Sequence, residues 1–351
     1  VLDPDSVPQA GQKGLIQLNG NVADDVTDEV HPDVAYVAAL AARVVGLDIA
    51  GIDLVCEDIA RPLEEQRGAI IEVNSSPGLL AHIKPAQGKP RNVGRAIVEH
   101  LFADGETGRI PLVGVTGTTD AALAARLVGT VLNLSGKHVG VANRDGLFLD
   151  SRQVTTQDGT GFDAGQRLLI NRTVQAAVFE SNARTILSEG LPYDRCQVGI
   201  VTDMGNVADV ADLYVRDEDA LYNVVRSQVD VVLSDGAAVL NAHDPRVAAL
   251  ADLCDGAVLF YARDEANDVL RAHRAAGGRA AFVRDGHIVL AQGSEEMPLL
   301  GLDKVKPATA AQPDALLAAA LAGWALDVPT DLICAGLRTF DAAGKKKGKA
   351  S

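Results

Sequence analysis

Cysteine, aromatic side chains and positive charge are all scarce in this sequence, and each scarcity excludes something. The 351 residues include 4 cysteines, Cys56, Cys196, Cys254 and Cys334, spaced too widely for a C-x-x-C pair. That excludes a disulfide scaffold and argues against a metal site built on thiols; reduced core residues in a cytoplasmic protein are expected instead. The formal charge of −15 argues against non-specific binding to nucleic acid and against adhesion to an anionic membrane. No apolar run is long enough to cross a bilayer, and no signal-peptide pattern opens the chain. Aromatic residues make up 4% of the chain and tryptophan occurs once, at Trp324, in an apolar helical stretch that reads as core.

What is present suits a globular protein of about two domains. Hydrophobic residues are 47% and charged residues 23%, enough for sizeable cores. The chain begins at Val1 rather than Met, and its opening reads as mid-domain sequence, so a piece lacking an N-terminal portion is expected. The last stretch, GKKKGKAS, reads as a frayed, basic, disordered tail over 342–351.

The hydrophobic pattern changes character at about residue 109. Before it, "VAYVAALAARVVG" (34–46) has helical spacing and a terminal glycine suited to a C-cap. "AGIDLVCEDI" (50–59) and "GAIIEVN" (68–74) read as strands of a hairpin, and "VGRAIVEHLF" (93–102) as a helix. "ADGETGR" (103–109) is a candidate linker. Beyond it, strands such as "IPLVGVTG", "HVGVAN", "AAVFES", "CQVGIVTD" and "VDVVLSD" alternate with helical segments, among them "RLLINRTVQ" and "DALYNVVRSQ". This implies βαβ units and an α/β domain with a mostly parallel sheet, closed by a helical pair over 311–340.

Two constellations carry chemistry. In "IIEVNSSPG" strand alternation puts Glu72 and Asn74 on one side and Ile71 and Val73 toward the core, while Asp53 on the partner strand can point the same way as Glu72. Two carboxylates and an amide oxygen form a hard-oxygen set suited to Mg²⁺. A charged, solvent-facing strand edge has the same spacing. The second constellation, "GVTGTTDAALAARLVG" (114–129), begins like a phosphate-binding loop running into a helix, but carries Ala121 where a lysine should stand. Backbone N–H groups at such a helix start can still attract an anion. A negative charge at Asp120, about 4 Å from a phosphate, would cost about 4 kcal/mol at an effective dielectric of about 20.

"GIDLVCEDI…GAIIEVNSSPG" resembles the end of an ATP-grasp domain, and "DVTDEVHPDVA", "ARVVGLDIAGIDLVCEDI" and "GKPRNVGRAIVEHLF" resemble the cyanophycin synthetase family. That resemblance runs through both parts of the chain. It implies the C-terminal portion of an ATP-grasp domain over 1–108, with Asp53, Glu72 and Asn74 as Mg²⁺ ligands of an ATP site. Such a site activates the carboxylate end of a growing polymer as an acyl phosphate for attack by an amine. His82 and Arg91, in the following loop, could reach anionic substrate or serve only at the surface. "NGNVADDVTDEV" departs from the family by being shorter than the Ser/Thr/Gly-rich loop expected there.

The resemblance also implies a Mur-ligase-like P-loop-type domain over 109–341, in a degenerate form. The family loop reads roughly G-T-N-G-K-T-T, against "GTTDAAL" (117–123) here, so Gly117 and Thr118 remain as a relic cofactor-binding loop. Glu180 keeps the place of a metal-binding glutamate. The expected Asp-His element is replaced by "TDMGNVADVADL" (202–213), and "LYNVVRSQV" lacks the lysine that the family modifies. Residues 341–351 leave no room for a last ligase domain.

The likeness is strongest to the shorter class, which joins preformed β-aspartyl-arginine dipeptides with one active site. A two-site synthetase using aspartate and arginine, and a scaffold or oligomerisation role for the second domain, are the alternatives. ATP, Mg²⁺, a cyanophycin-like polymer, an amino-acid or dipeptide substrate and a homo-oligomer are the partners so implied. A piece of this kind is not expected to catalyse alone. His243 and His287 read as turn residues rather than as a new site, and the glycines at 277–278 and 286 as turns.

Overall fold

The computed structural model describes residues 7, 9, 10 and 23–341. The disordered tail expected over 342–351 and most of the opening segment lie outside the described residues. The chain divides into two compact units, Val1–Arg109 and Ile110–Ser351.

Unit 1 is small and open. Helix α1 (Pro32–Val45) starts at a proline, which needs no N–H partner there, and His31 Nδ1 accepts from the Asp33 N–H at 3.2 Å. It stops at Gly46, whose φ of 84° supplies the left-handed C-cap. Strands β1 (Gly51–Val55) and β2 (Ala69–Asn74) pair antiparallel, as the polar stretch between them suggested. Gln66 ties that connection together, accepting from the Asp58 N–H and donating to the Asp58 and Arg61 carbonyls. Helices α2 (Leu80–Ile83) and α3 (Val93–Leu101) follow. One sequence expectation fails here. The register shifts between Asp53 and Leu54, so that Ile70 faces Leu54 and Ile71 is left unpaired in a β-bulge. A bulge breaks the two-residue alternation, and Ile71 is 65% exposed instead of facing the core.

Unit 2 is built on an 11-stranded sheet of order β13-β12-β11-β10-β9-β8-β3-β7-β4-β5-β6. In chain order the strands are β3 (Leu112–Thr116), β4 (Val139–Asn143), β5 (Gly146–Leu149), β6 (Arg152–Thr155), β7 (Ala176–Ser181), β8 (Cys196–Val201) and β9 (Val232–Asn241), then β10 (Ala257–Asp264), β11 (Arg279–Arg284), β12 (His287–Gln292) and β13 (Glu295–Gly301). From β4 across to β11 all pairings are parallel, while β5–β6 and β12–β13 add antiparallel edges. The parallel centre matches the expected α/β class. The antiparallel additions were not anticipated, because their short strands interrupt the βαβ rhythm without helices. The strand expected at "VDVVLSD" runs later, over Val232–Asn241, since residues 227–230 form a helical turn.

Alternation along the parallel strands separates two cores. Val113, Val115, Val178, Ile200, Val239 and Leu259 face α4 (Ala121–Leu134) and the helices Pro313–Ala325 and Thr330–Thr339. Ala238, Leu240, Phe260 and Phe282 face the opposite layer. The helix Pro313–Ala325 is buried from Asp314 to Gly323 without a polar stripe, which is why its composition is apolar all round. Trp324 lies at its end, partly buried against this core, beneath Arg279. The ordering of α4 against the sheet fixes where the 117–120 loop sits, at the carboxyl edge of β3.

Leu317→Ala should cost about 2–5 kcal/mol, because Leu317 is fully buried between helix and sheet. Leu134→Ala, at a 42% exposed position, should cost about 0.5 kcal/mol or less. Urea unfolding followed by Trp324 fluorescence reads unit 2 alone and checks both.

Candidate functional site

The hairpin of unit 1 brings Asp53, Glu72 and Asn74 together. Asp53 and Glu72 are direct cross-strand partners, and Asn74 Nδ2 donates to Asp53 Oδ2 at 3.4 Å. Among the described residues no Lys or Arg pairs with either carboxylate. Like charges directly opposite one another across a strand pair destabilise it, and a hard divalent cation removes that repulsion. The Asn74 amide, donating through nitrogen, leaves its oxygen as a neutral ligand. This donor set therefore fits Mg²⁺. No group of three or more His, Cys, Asp or Glu able to hold a metal occurs among the described residues; the hairpin set has two carboxylates and an amide. Gly51 lets the Ser-Ser-Pro-Gly turn fold back onto β1, since a Cβ there would lie 2.8 Å from Pro77 Cβ. A cavity of about 480 Å³ lined by Gly51, Ile52, Pro77, His82 and His100 adjoins this turn.

Arg91 serves the unit's own structure. Its guanidinium holds Asp25 and Asp28, each at 2.9 Å, and those hydrogen bonds keep both carboxyls well below their usual range. Of His82 and Arg91, which could reach substrate or serve only at the surface, His82 lines the cavity beside the turn.

In unit 2 the loop after β3 is occupied by a side chain of the protein. The carboxylate of Asp203, just after β8, accepts from the Thr118 N–H at 3.0 Å, the Thr119 N–H at 3.1 Å and the Gly205 N–H at 2.9 Å. The hydroxyls of Thr118 and Thr202 add bonds of 2.7 and 3.0 Å. Burial pushes Asp203 up, but these donors outweigh it and hold the carboxyl below its usual value, so it remains charged. Gly117, at φ 151°, allows the approach, because a Cβ there would meet Thr202 Oγ1 and the Asp203 carboxylate. The backbone N–H groups that a phosphate would use are thus already taken.

Asp120 does not stand at the mouth of the loop, as its position in the sequence suggested. It is 7% exposed, and its charged neighbours are Asp314, Arg263 and Asp203. Burial, then Asp314, raises its pKa. The anion at the loop is Asp203, a residue that sequence reasoning passed over although the Thr-Asp pair at 202–203 was noted as a departure. Ala121 is fully buried, so no side chain at that position reaches the loop.

Glu180, at the end of β7, is 1% exposed and engaged. The Arg144 N–H donates to Oε2 at 2.9 Å and Arg144 Nε to Oε1 at 2.6 Å, while a terminal guanidinium nitrogen of Arg144 donates to the Thr118 carbonyl at 2.9 Å. Burial raises the Glu180 pKa and the Arg144 bonds oppose it. A positive charge of the protein thus stands against the glutamate that the sequence marked as a metal ligand. Arg144 was missed because nothing in "NRDG" distinguishes it from a turn arginine. Thr118, Arg144, Asn182, Arg184 and Asp203 line the adjoining cavity of about 220 Å³, and Arg184 is itself paired with Asp212. His243 and His287 act locally, His243 Nε2 accepting from the Arg263 N–H and His287 Nδ1 lying 3.0 Å from the Asp285 carbonyl. The four cysteines are free thiols, and burial lifts Cys196 to about 12.

No family model matches the chain. It is 35% identical over 357 residues to the cyanophycin synthetase of Nostoc sp. (strain PCC 7120), covering 96% of this chain and 38% of that protein. To the Synechocystis sp. cyanophycin synthetase it is 36% identical over 333 residues, covering 93% and 38%. The chain thus spans 38% of the length of these curated relatives. A bifunctional glutathione biosynthesis protein of Clostridium perfringens matches 28% of the chain at 33% identity and 13% of its own length. Among solved structures, a UDP-N-acetylmuramoyl-L-alanyl-D-glutamate–2,6-diaminopimelate ligase covers 71% of this chain and 49% of its own, with a TM-score of 0.50 and 13% identity. The α/β fold with its large, mostly parallel sheet is therefore of the Mur-ligase type. No helix among the described residues is long and apolar enough to cross a membrane.

Arg144→Ala strands the Glu180 carboxylate without its counter-charge and should cost roughly 3 kcal/mol at neutral pH, the lower end for a broken buried pair because Arg144 is 41% exposed. Without arginine the folded-state pKa of Glu180 rises further above its unfolded value. The variant's stability is then fullest below the unfolded pKa and falls as pH rises, so its deficit should be larger at pH 7 than at pH 4. Thermal melts across that range, with Arg144→Ala/Glu180→Gln recovering most of the loss, check this.

Proposed function

We propose that this chain is part of an ATP-dependent amide-forming ligase of the cyanophycin synthetase type. In this reading unit 1 is the C-terminal portion of an ATP-grasp domain and holds the working site at Asp53, Glu72 and Asn74. Unit 2 is a Mur-ligase-like domain without nucleotide chemistry of its own. The observation that carries the reading is the Asp203 carboxylate seated on the 118–119 backbone. A triphosphate entering there would have to displace it, and a negative charge about 4 Å away would cost about 4 kcal/mol at an effective dielectric of about 20. Arg144 likewise occupies Glu180, so the elements that would grip phosphate and metal are satisfied internally.

Bound Mg²⁺ supplies neutralisation of the charge that develops on the β- and γ-phosphates. Asp53 and Glu72 provide the anionic ligands from facing strands, and Asn74, fixed by its bond to Asp53, provides the neutral one. The carboxylate end of a cyanophycin-like polymer receives the γ-phosphoryl group of ATP and becomes an acyl phosphate. The amine of the incoming unit attacks that carbonyl, an amide forms and phosphate leaves. One site makes one kind of amide bond. Free aspartate and arginine need two kinds, main chain and side chain, so a preformed β-aspartyl-arginine dipeptide is the substrate this reading favours. The charge of −15 suits a cationic, arginine-bearing polymer, and the protein acts in the cytoplasm as a homo-oligomer.

The complete protein, given ATP and Mg²⁺, should polymerise the dipeptide and not a mixture of free aspartate and arginine; polymer from the free amino acids alone would overturn the reading. Glu72→Ala should lower ATP turnover by at least about 100-fold, the upper end of what disturbing even an outer-shell metal partner costs. Asp203→Asn, which keeps one oxygen as an acceptor for the Thr118 and Thr119 N–H groups, should leave turnover per folded molecule unchanged. Turnover that survives Glu72→Ala would instead favour a second live site.

A further inference from the structure

Arg126 is the arginine of unit 2 whose surroundings the proposed reaction leaves unexplained. Arg144, Arg184, Arg246, Arg263, Arg274 and Arg284 each donate to a carboxylate. Arg126 does not: among the described residues no carboxylate or carbonyl accepts from its guanidinium. Helix α4 carries it onto the Phe148 ring, 4.0 Å from the centroid, and within 5.5 Å of the Phe340 ring. Stacking at that distance fixes the plane of the guanidinium and removes water from its face, while the in-plane N–H fork stays without a partner. Burial lowers its pKa, opposed by Asp145 acting at a distance. None of its nitrogens is buried without a partner, so the fork opens to the cavity beside it, where an anion finds donors the protein does not use.

The space for one is present. Arg126 lines a cavity of about 320 Å³ together with Thr130, Ser151, Lys306 and Thr339. The carboxylates at its walls are committed elsewhere. Asp150 accepts from Asn133 Nδ2 at 2.8 Å and the Val139 N–H at 2.9 Å and lies 3.1 Å from His138 Nδ1; Asp341 pairs with Lys306 at 2.5 Å. The hydroxyls of Thr130 and Thr339 donate to helix carbonyls at 3.0 and 2.7 Å, which leaves the exposed Ser151 as the hydroxyl available to a ligand.

We infer that this cavity binds a compact oxyanion, the carboxylate or phosphate group of a small molecule, through the fork of Arg126 with Ser151 as an added donor. A planar guanidinium matches either group with two parallel hydrogen bonds, and a lysine ammonium does not. The site is separate from the hairpin chemistry and stands or falls without it.

The test titrates the chain calorimetrically with inorganic phosphate and, separately, with succinate. One of the two should bind saturably with one site per chain, and the tighter one identifies the anion as phosphate or carboxylate. Arg126→Lys should weaken that binding at least tenfold. Ser151→Ala, at an exposed position that leaves the fold intact, should weaken it severalfold, and Glu72→Ala should leave it unaltered. Absence of saturable binding by either anion would overturn the inference. So would binding that both Arg126→Lys and Ser151→Ala leave unchanged.

Discussion

The grip of Asp203 on the backbone of residues 118–119 is the interaction that organises the carboxyl edge of the sheet in unit 2. Exposed N–H groups at the start of a buried helix need an acceptor, and in a nucleotide-binding loop a phosphate provides it. Here the acceptor is covalently part of the chain. Its donors come from the end of β3, the start of α4 and the turn after β8, so one carboxylate ties neighbouring parallel strands at their carboxyl edge. Arg144 extends the tie from Thr118 to Glu180 and so to β7. The crevice where such sheets usually receive a ligand is thereby lined with internal charge of both signs.

This arrangement lets the loop stand with its donors and charges paired inside the protein. Deleting a bound anion and cation from a buried site would leave unpaired donors and an uncompensated glutamate, each costing a kcal/mol or several. Asp203 and Arg144 pair those groups within the chain and so avoid that cost. The hairpin of unit 1 shows the converse. Two carboxylates stand opposed with no cationic partner among the described residues, and a bulge beside them turns Ile71 outward. The charges of unit 2 are compensated from within the chain, and those of the hairpin are not.

Much of the framework was legible in the residues. Apolar strands such as Leu112–Thr116 and Ala176–Ser181 are buried on both faces and read as uninterrupted runs, and Gly46 and Gly136 mark helix ends through their left-handed backbone. The hairpin trio could be placed because strand alternation carries Glu72 and Asn74 together. What escaped reading depends on contacts distant in sequence. Asp203 meets Thr118 across 85 positions, and Arg144 meets Glu180 across 36. No local pattern encodes such pairs. The burial of Asp120 escaped for the same reason, since its charged neighbours Asp314 and Arg263 are distant in sequence. The outward turn of Ile71 followed from a register shift of a single residue, which composition cannot signal.

The two borders of the large sheet have a further effect. A row of parallel strands ending bare would offer unpaired main-chain groups to a neighbouring molecule. Here the outermost strands are turned back as hairpins. One border is β6, with Arg152 and Gln153 exposed; the other is β13, where Glu295 and Glu296 precede Pro298, which has no N–H to give. Such borders discourage self-templated stacking and so keep one copy of the sheet from extending onto the next.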